Sequence, residues 1–277
     1  MGTLVDIDGN LYDTVVIGTQ EWTVQNFKCA RLNDGTAISE VTDNFDWYIL
    51  TYPGRCAYDN DPANRAIYGE LYNWQTVNTG KLAPEGWRVP TNDDWGILTT
   101  YLGGEISAGG KMKETGTTHW LSPNTCATNE SGFSALPGGY RASDGNFDRL
   151  GNECRLWSSS MPVDRYLCYD SGYLLSASDS WFMFHGESIR LVRDIKTITI
   201  NQSQFNWTPP SDYPFTKNND LYDKDIDYIR ANKKKLKPFS GITAPPNPGY
   251  NFSAYPGYET GLFGYSRKDY RVSGSGE

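Results

Sequence analysis

The sequence specifies the start of a helix most clearly in the stretch Gly86-Trp87-Arg88-Val89-Pro90-Thr91-Asn92-Asp93-Asp94-Trp95-Gly96-Ile97-Leu98. Pro90 disfavours helical backbone at the residue before it. Thr91 is a preferred N-cap residue, and Asp94, three positions later, is placed to bond back to the cap as a short version of the capping box. The helix is therefore expected to begin at Thr91.

The end of the same helix is marked by glycine. Trp95, Leu98 and Leu102 recur at helical spacing, and the pair Gly103-Gly104 follows them. Glycine is the residue most often found just after a helix C-terminus. We therefore predict a helix from Thr91 to Leu102 that packs Trp95 and Leu98 into a core.

Composition favours one sizeable domain with an appendage. The chain has 277 residues, of which 14% are aromatic, with 28 Gly and 15 Pro. Such a composition is typical of many short strands joined by turns. Residues 1–195 carry 14 Lys and Arg against 25 Asp and Glu, whereas residues 196–277 carry 11 against 8. Because phosphate binding needs a basic face, the acidic domain argues against nucleic acid as a ligand.

The domain is predicted to be α+β, with mostly antiparallel short strands and one or two helices. Strand patterns cover residues 4–7, 12–17 and 21–24, and turn signals separate them. Residues 28–66 are polar and irregular, which indicates loops around the core. Residues 106–195 contain short strand-like runs separated by further turn signals, which predicts an antiparallel sheet with long loops.

Residues 196–277 differ in character from the domain. They contain 8 of the 15 prolines, 8 Tyr and 5 Phe. Aromatic residues are scarce in disordered segments, so we predict an extended C-terminal assembly arm buried on another subunit. A homo-oligomer such as a trimer is the simplest arrangement, and folding back onto the domain is the alternative. The expected assembly contacts are Phe239, Tyr250, Phe252, Tyr255, Tyr258, Phe263 and Tyr265.

Sequence segments beyond the helix resemble one family. They are YGELYNW at 68–74, GGKMKETGTTHW at 109–120, NESGFSALPGGYR at 129–141, LWSSS at 156–160 and SIRLVRD at 188–194. Together with residues 86–95 they resemble the Fibrobacter succinogenes major paralogous domain, over roughly residues 3–195. This resemblance implies a C-type-lectin-like fold, distantly similar to the formylglycine-generating enzymes.

The cysteines fit neither a zinc motif nor a disulfide framework, because the five are irregularly spaced. Buried free thiols are expected, and a Cys154–Cys168 pair across a hairpin is the alternative. The resemblance implies a cysteine pair at positions that here hold Ala83 and Leu191. The loss of that pair, and first residues that lack signal-peptide character, indicate assembly in a reducing cytoplasm.

Catalysis is not expected. The only two histidines, His119 and His185, lack a second ligand at helical spacing, and the sequence has no phosphate loop or nucleophile elbow. Cys154 and Cys168 stand fourteen positions apart, so the oxidase activity of formylglycine-generating enzymes, which needs a close cysteine pair, is not carried over. No metal or cofactor is predicted.

A ligand-binding surface is predicted between the LWSSS segment and the last strand. Aromatic side chains flanked by charged residues suit both sugar rings and protein anchors, although large aromatics are more often buried in a core. The ligand contacts expected on this surface are Trp157, Arg165, Tyr169, Tyr173, Trp181 and His185, and Tyr166 and Phe184 belong to the same surface.

The expected function is recognition combined with assembly. One interpretation is an outward-facing component of a phage virion or virus-like particle (a fibre, capsid decoration or tail protein) that binds a host-surface glycan or protein. The alternative is a bacterial cell-surface or secreted adhesion module that binds polysaccharide. Neither interpretation requires nucleic acid or membrane insertion.

Overall fold

The computed structural model describes residues 2–160, 163–178 and 184–195. These residues belong to the first of two units into which the chain divides, Met1–Ile198. The predicted C-terminal arm, with its seven assembly residues, lies outside the described residues, and so does Trp181. None of the helices within the described ranges is both long enough and apolar enough to cross a membrane.

The described residues form a mixed α+β domain. Its elements, with a 3-10 turn at Tyr58–Asn60 between β5 and α2, are β1 Gly2–Val5, β2 Leu11–Ile17, β3 Gln20–Thr23, β4 Ser39–Glu40, α1 Asn44–Tyr48, β5 Gly54–Cys56, α2 Pro62–Tyr68, β6 Leu71–Asn73, α3 Trp74–Asn78, α4 Asn92–Tyr101, α5 Glu105–Met112, β7 Gly138–Arg141, β8 Phe147–Leu150, β9 Glu153–Ser158, β10 Val163–Cys168, β11 Leu175–Ser178, β12 Gly186–Glu187 and β13 Val192–Asp194.

Two sheets organise the domain. The smaller has the strand order β1-β2-β3-β13 and is antiparallel throughout, with Val192 of β13 opposite Trp22 of β3. The larger has the order β11-β10-β9-β7-β12-β6-β5-β4, with β8 paired to β7. Only its β4–β5 and β7–β9 pairings are parallel. The three N-terminal strands and the antiparallel sheet in the second half of the domain are thus confirmed.

Helix α4 has the predicted boundaries and cap. The Thr91 hydroxyl accepts a hydrogen bond from the Asp94 amide (3.1 Å), and the Asp94 carboxylate accepts one from the Thr91 amide (2.9 Å). Trp95 and Leu98 have no exposed surface. The Trp95 ring packs 4.8 Å from that of Trp22 on β3, so α4 fixes the smaller sheet to the core.

The prediction of only one or two helices was wrong, because the described residues contain five. Helices α1 and α2 lie in the segment 28–66 that was predicted to be loops, and α5 lies where short strands were expected. Asp43 caps α1, and Asp61 caps α2, which has Pro62 at its first position. These residues are turn formers as well as helix starters, and here they start helices.

Two completely buried arginines fasten loops to the sheets. The Arg190 guanidinium donates to the carbonyls of Thr23, Val24, Phe133 and Ser134 and to the Asn26 side chain. The Arg141 guanidinium likewise donates hydrogen bonds to the three consecutive backbone carbonyls of residues 41–43. Burial lowers the pKa of Arg190 to about 10. Each guanidinium is thus held by neutral acceptors, which satisfy its donors without a carboxylate.

All five cysteines are free thiols. In the β9–β10 hairpin Cys154 lies opposite Leu167, and Cys168 lies opposite Glu153. A shift of one residue along a strand moves a side chain to the other face of a sheet. Cys154 and Cys168 therefore lie on opposite faces, and the alternative of a pair across the hairpin is wrong.

Candidate functional site

The strands β9, β10 and β12 bring a group of charged and aromatic side chains to one face of the larger sheet. Tyr166 lies opposite Arg155 in the β9–β10 register, and Asp164 lies opposite Trp157. Directly opposed residues of an antiparallel pair share a face of the sheet. Arg155, Asp164 and Tyr166 are therefore neighbours, although nine to eleven positions separate Arg155 from the other two.

Two carboxyl groups of this site are completely buried, those of Asp164 and Glu187. Burial raises the pKa of Asp164 to about 8, with a further rise from the charge of Glu187. Burial likewise raises the pKa of Glu187 to about 8, against the opposing attraction of Arg155. Two acids that resist ionisation at the same place are uncommon outside functional sites.

The charge of Arg155 attracts Glu187 as well as Asp164. Its Nη1 lies 2.9 Å from Asp164 Oδ2, and its Nε lies 2.8 Å from Glu153 Oε2. Asp164 and Glu187 interact directly, yet within the described ranges neither oxygen of Glu187 has a hydrogen bond of normal geometry. A proton retained by one of the two acids removes the repulsion between their carboxylates, which agrees with the raised pKa of both.

Aromatic rings form the outer part of the site. The Arg155 guanidinium lies 4.4 Å from the centre of the Tyr140 ring and 5.1 Å from that of Tyr166. The His185 ring stacks on Tyr140, with centres 5.2 Å apart and planes 27° from parallel. We call Tyr140, Arg155, Tyr166 and His185 the stack cluster. All four keep some exposed surface, although the side chains of Arg155 and His185 expose only 13% and 12% of theirs.

The burial of the two acids differs from the arrangement in glycosidases. The carboxyl groups of a retaining glycosidase stand roughly 5 Å apart, and those of an inverting enzyme stand farther apart to admit water. Asp164 and Glu187 interact directly and have no exposed surface. Their nearest basic partner beyond Arg155 is His185, whose Nδ1 lies 3.7 Å from Glu187 Oε1. In the part of the chain that the structure describes, no three His, Cys, Asp or Glu side chains are grouped to hold a metal ion.

Of the predicted ligand residues within the described ranges, only His185 lies in the stack cluster, together with Tyr166 of the same predicted surface. Trp157 is completely buried, with its Nε1 donating to the Tyr72 carbonyl (2.7 Å) and its ring 5.6 Å from that of Trp74. It is a core residue, and a side chain with no exposed surface is not available to a ligand at the domain surface.

The other predicted residues lie elsewhere. Arg165 lies opposite Leu156, on the reverse face of β10 from Asp164. Tyr169 is partly buried against the core, and Tyr173 is exposed beside α5, where its carbonyl packs onto Gly109. The predicted surface is therefore divided between two faces of the sheet.

The residues that sequence reasoning missed are Tyr140, Arg155, Asp164 and Glu187. Asp164 and Arg155 look like ordinary polar residues of a half-exposed strand, and Glu187 stands in a strand of two residues. Alternation of polar and apolar residues assigns Arg155 and Tyr166 to one face once β9 and β10 are known to pair. The sequence offers no comparable signal that places Glu187 against Asp164.

The comparison with protein families identifies the scaffold. A model of the Fibrobacter succinogenes major domain matches residues 15–173. The chain belongs to this family. This match covers fewer residues than the resemblance inferred from the sequence, which extended over roughly residues 3–195. Searches of curated proteins and of solved structures return no match.

The segments that resemble the Fibrobacter succinogenes major domain build its interior. Each contributes a polar side chain that is buried and bonded. Asp94 holds Arg88, the Lys113 amine donates to three carbonyls, and Glu70 pairs with Arg55. The family signature therefore specifies the fold, and only Tyr140 of the stack cluster belongs to one of these segments.

Proposed function

We propose that this protein is a non-enzymatic recognition protein that binds a host-surface glycan or protein through the stack cluster. The observation that carries this proposal is the layered contact of Tyr140, Arg155, Tyr166 and His185 over two buried acids. Stacked aromatic groups and an arginine are typical anchors of binding surfaces, because they offer contact area with little loss of conformational entropy. The buried acids hold the guanidinium in place, so the surface is formed before the ligand arrives.

A C-type-lectin-like fold is the finer form of this proposal. Its support is the family resemblance together with the closing strand β13, which pairs with β3 near the start of the domain. A fold that closes on itself in this way leaves the long connections of the second half free to carry ligand contacts. The proposed ligand residues lie in that half.

The protein acts, in this proposal, as an outward-facing component of a phage virion or virus-like particle assembled in the cytoplasm. The support is that five thiols stay free and that Ala83 and Leu191, which replace the cysteine pair implied by the family, pack in one apolar cluster. Such a domain needs no oxidising compartment to fold. A bacterial surface or secreted adhesion module remains the second candidate, since the same surface would bind polysaccharide.

Residues 196–277 attach the protein to its partners in this proposal. The first support for this role is the composition of the segment, which contains 8 Pro, 8 Tyr and 5 Phe. A second support is an exposed apolar surface on and after α1, where four large side chains are each more than half exposed. Monomeric proteins seldom expose such groups together. The four exposed side chains are those of Phe45, Tyr48, Ile49 and Tyr52. We propose that a second copy of the chain covers them.

Binding and assembly have separate tests. Full-length protein would be applied to a glycan array and to host cells, beside the variants Tyr140→Ala and His185→Ala and the control Ile106→Ala, which changes an exposed side chain outside both the stack cluster and the assembly surface. We expect the first two variants to lose binding and the control to retain it. Equal binding by all four proteins, or cleavage of a bound glycan, would contradict the proposal.

For assembly, the molar mass of full-length protein would be measured by light scattering beside that of a chain ending at residue 195. We expect a multiple of the 31.1 kDa chain mass for the first and a folded monomer for the second. An unfolded or aggregated truncation would show that residues 196–277 belong to the core of the domain. An equally oligomeric truncation would assign assembly to the domain.

A further inference from the structure

A shallow groove runs along the outer face of α4, between this helix and the turn that joins β2 to β3. Its lining includes Gly18 of the turn and Asp93, Gly96, Ile97 and Tyr101 of the helix. None of these residues belongs to the stack cluster. The groove is therefore a separate concave surface on the helix that organises the fold.

The middle of the groove exists because residue 96 has no side chain. Glycine is the least favourable residue after proline inside a helix, so its presence there calls for a reason. Close packing is not that reason, because a Cβ at Gly96 would have no atom within 4 Å. By contrast, a Cβ at Gly109 of α5 would lie 2.2 Å from the Tyr173 carbonyl oxygen. Gly96 leaves an open trough between two turns of α4.

An aromatic platform closes one end of the trough. A Cβ at Gly18 would lie 2.8 Å from Tyr101 Cδ2 and 3.0 Å from Cγ, which means that the ring rests against the turn. The Tyr101 side chain is nevertheless 64% exposed. The ring is thus held on one side by backbone and open on the other, with little freedom left to lose when a ligand stacks on it.

An acidic group closes the other end. Asp93 is exposed and places its carboxylate at the edge of the groove. Asp93, Ile97 and Tyr101 are spaced four apart and so follow one stripe of the helix, about 12 Å long. The groove therefore offers acceptors at one end and an apolar ring at the other, over a length comparable with two or three sugar rings.

We infer that this groove is a second binding site of the protein and that it takes a short neutral oligosaccharide. The apolar face of one sugar ring packs on Tyr101, a neighbouring ring lies in the trough at Gly96, and hydroxyl groups donate to the Asp93 carboxylate. An extended peptide fits less well, because peptide grooves rely on a free strand edge or deep apolar pockets, and the backbone of α4 is bonded within the helix. The Asp93 carboxylate disfavours acidic sugars.

The inference extends the proposed recognition function but rests on different residues, so each can fail alone. Full-length protein would be titrated with neutral and sialylated oligosaccharides selected on an array. The variants are Gly96→Leu, which fills the trough with a better helix former, and Tyr101→Ala, which removes the platform. Ile106→Ala on α5 is the control, since Ile106 is exposed and lies outside the groove.

We expect neutral oligosaccharides to bind and both groove variants to weaken that binding by about tenfold or more, with the control unchanged. Thermal unfolding of Gly96→Leu should be equal to or above wild type, which shows that the loss is local. Unchanged affinity in Gly96→Leu, preference for sialylated sugars, or no binding of any neutral oligosaccharide would overturn the inference. Binding abolished by Tyr140→Ala but not by the groove variants would support the stack cluster alone.

Discussion

Asp164 and Glu187 are both completely buried, and they face one another beside a single guanidinium, that of Arg155. This relationship joins β10 to β12, and the two acids are 23 positions apart in the sequence. It makes the stability of the domain depend on pH over a range in which ordinary carboxylates are fully ionised.

Stability should fall as pH rises from about 4 to about 8. In the unfolded chain these acids ionise near pH 4, whereas in the folded domain their pKa values are about 8. Between these values the unfolded state releases protons that the native state retains, so the free energy of unfolding decreases. Urea unfolding of wild type and Asp164→Asn from pH 5 to pH 9 measures this.

The Asp164→Asn variant should show a flatter profile, because it loses one of the two raised pKa values. The exposed Asp170→Asn serves as the control and should follow wild type. Parallel profiles for wild type and Asp164→Asn would show that the acid pair does not control stability.

Two substitutions of Trp95 should lower the free energy of unfolding by clearly different amounts. Trp95→Ala should cost about 3–5 kcal/mol because it leaves a cavity against Trp22. Trp95→Phe should cost no more than about 1.5 kcal/mol, because the indole Nε1 has no partner within the described residues and its removal relieves a buried donor. Chemical denaturation of the two variants checks this, and a larger cost for Phe than for Ala would contradict it.

Arg190 should not be replaceable by lysine. A lysine amine cannot reach the four carbonyls and the amide oxygen that the planar guanidinium contacts. Loss of two or more buried bonds should reduce the free energy of unfolding by about 3 kcal/mol. Arg149→Lys, at an arginine whose side chain is about half exposed, should change it by less than about 0.5 kcal/mol. Similar effects of the two substitutions would argue against this role of Arg190.

Purified protein should contain no stoichiometric transition metal. The described residues offer no group of three or more His, Cys, Asp or Glu side chains that could hold a metal ion. The Asp6 carboxylate, in the turn after β1, accepts hydrogen bonds from the backbone amides of Asp8 and Asn10 rather than facing a metal ion. Elemental analysis by mass spectrometry, with and without prior chelator treatment, tests this. One equivalent of zinc or iron that survives dialysis would refute it.

Sequence signals predicted α4 because its two ends are marked by residues with a single interpretation in context. Pro90 and Thr91 start it, and glycines at 103 and 104, both with positive φ, end it. The starts of α1 and α2 carry Asp43 and Asp61, which cap helices but also form turns. Helices of five and seven residues have too little periodicity to decide between the two.

The candidate site was predicted only in part, because its chemistry depends on strand register between distant segments. His185 was identified because aromatic residues surround it in the sequence. Asp164 was missed because its role in the site depends on its burial. Burial of a strand residue is set by what packs on its face, which the local sequence does not contain. Helix α5 was missed for a related reason, since Gly109 and Gly110 indicate a turn locally but here admit the close carbonyls of Tyr173 and Cys126.

The pairing of β13 with β3 affects how the domain can be connected to another polypeptide. Because the smaller sheet is four strands wide, β1 and β13 lie roughly 14 Å apart, and the polypeptide enters and leaves the domain through the same sheet. A unit whose two ends lie this close together can be inserted into a surface loop of another polypeptide without moving the two ends of that loop far apart.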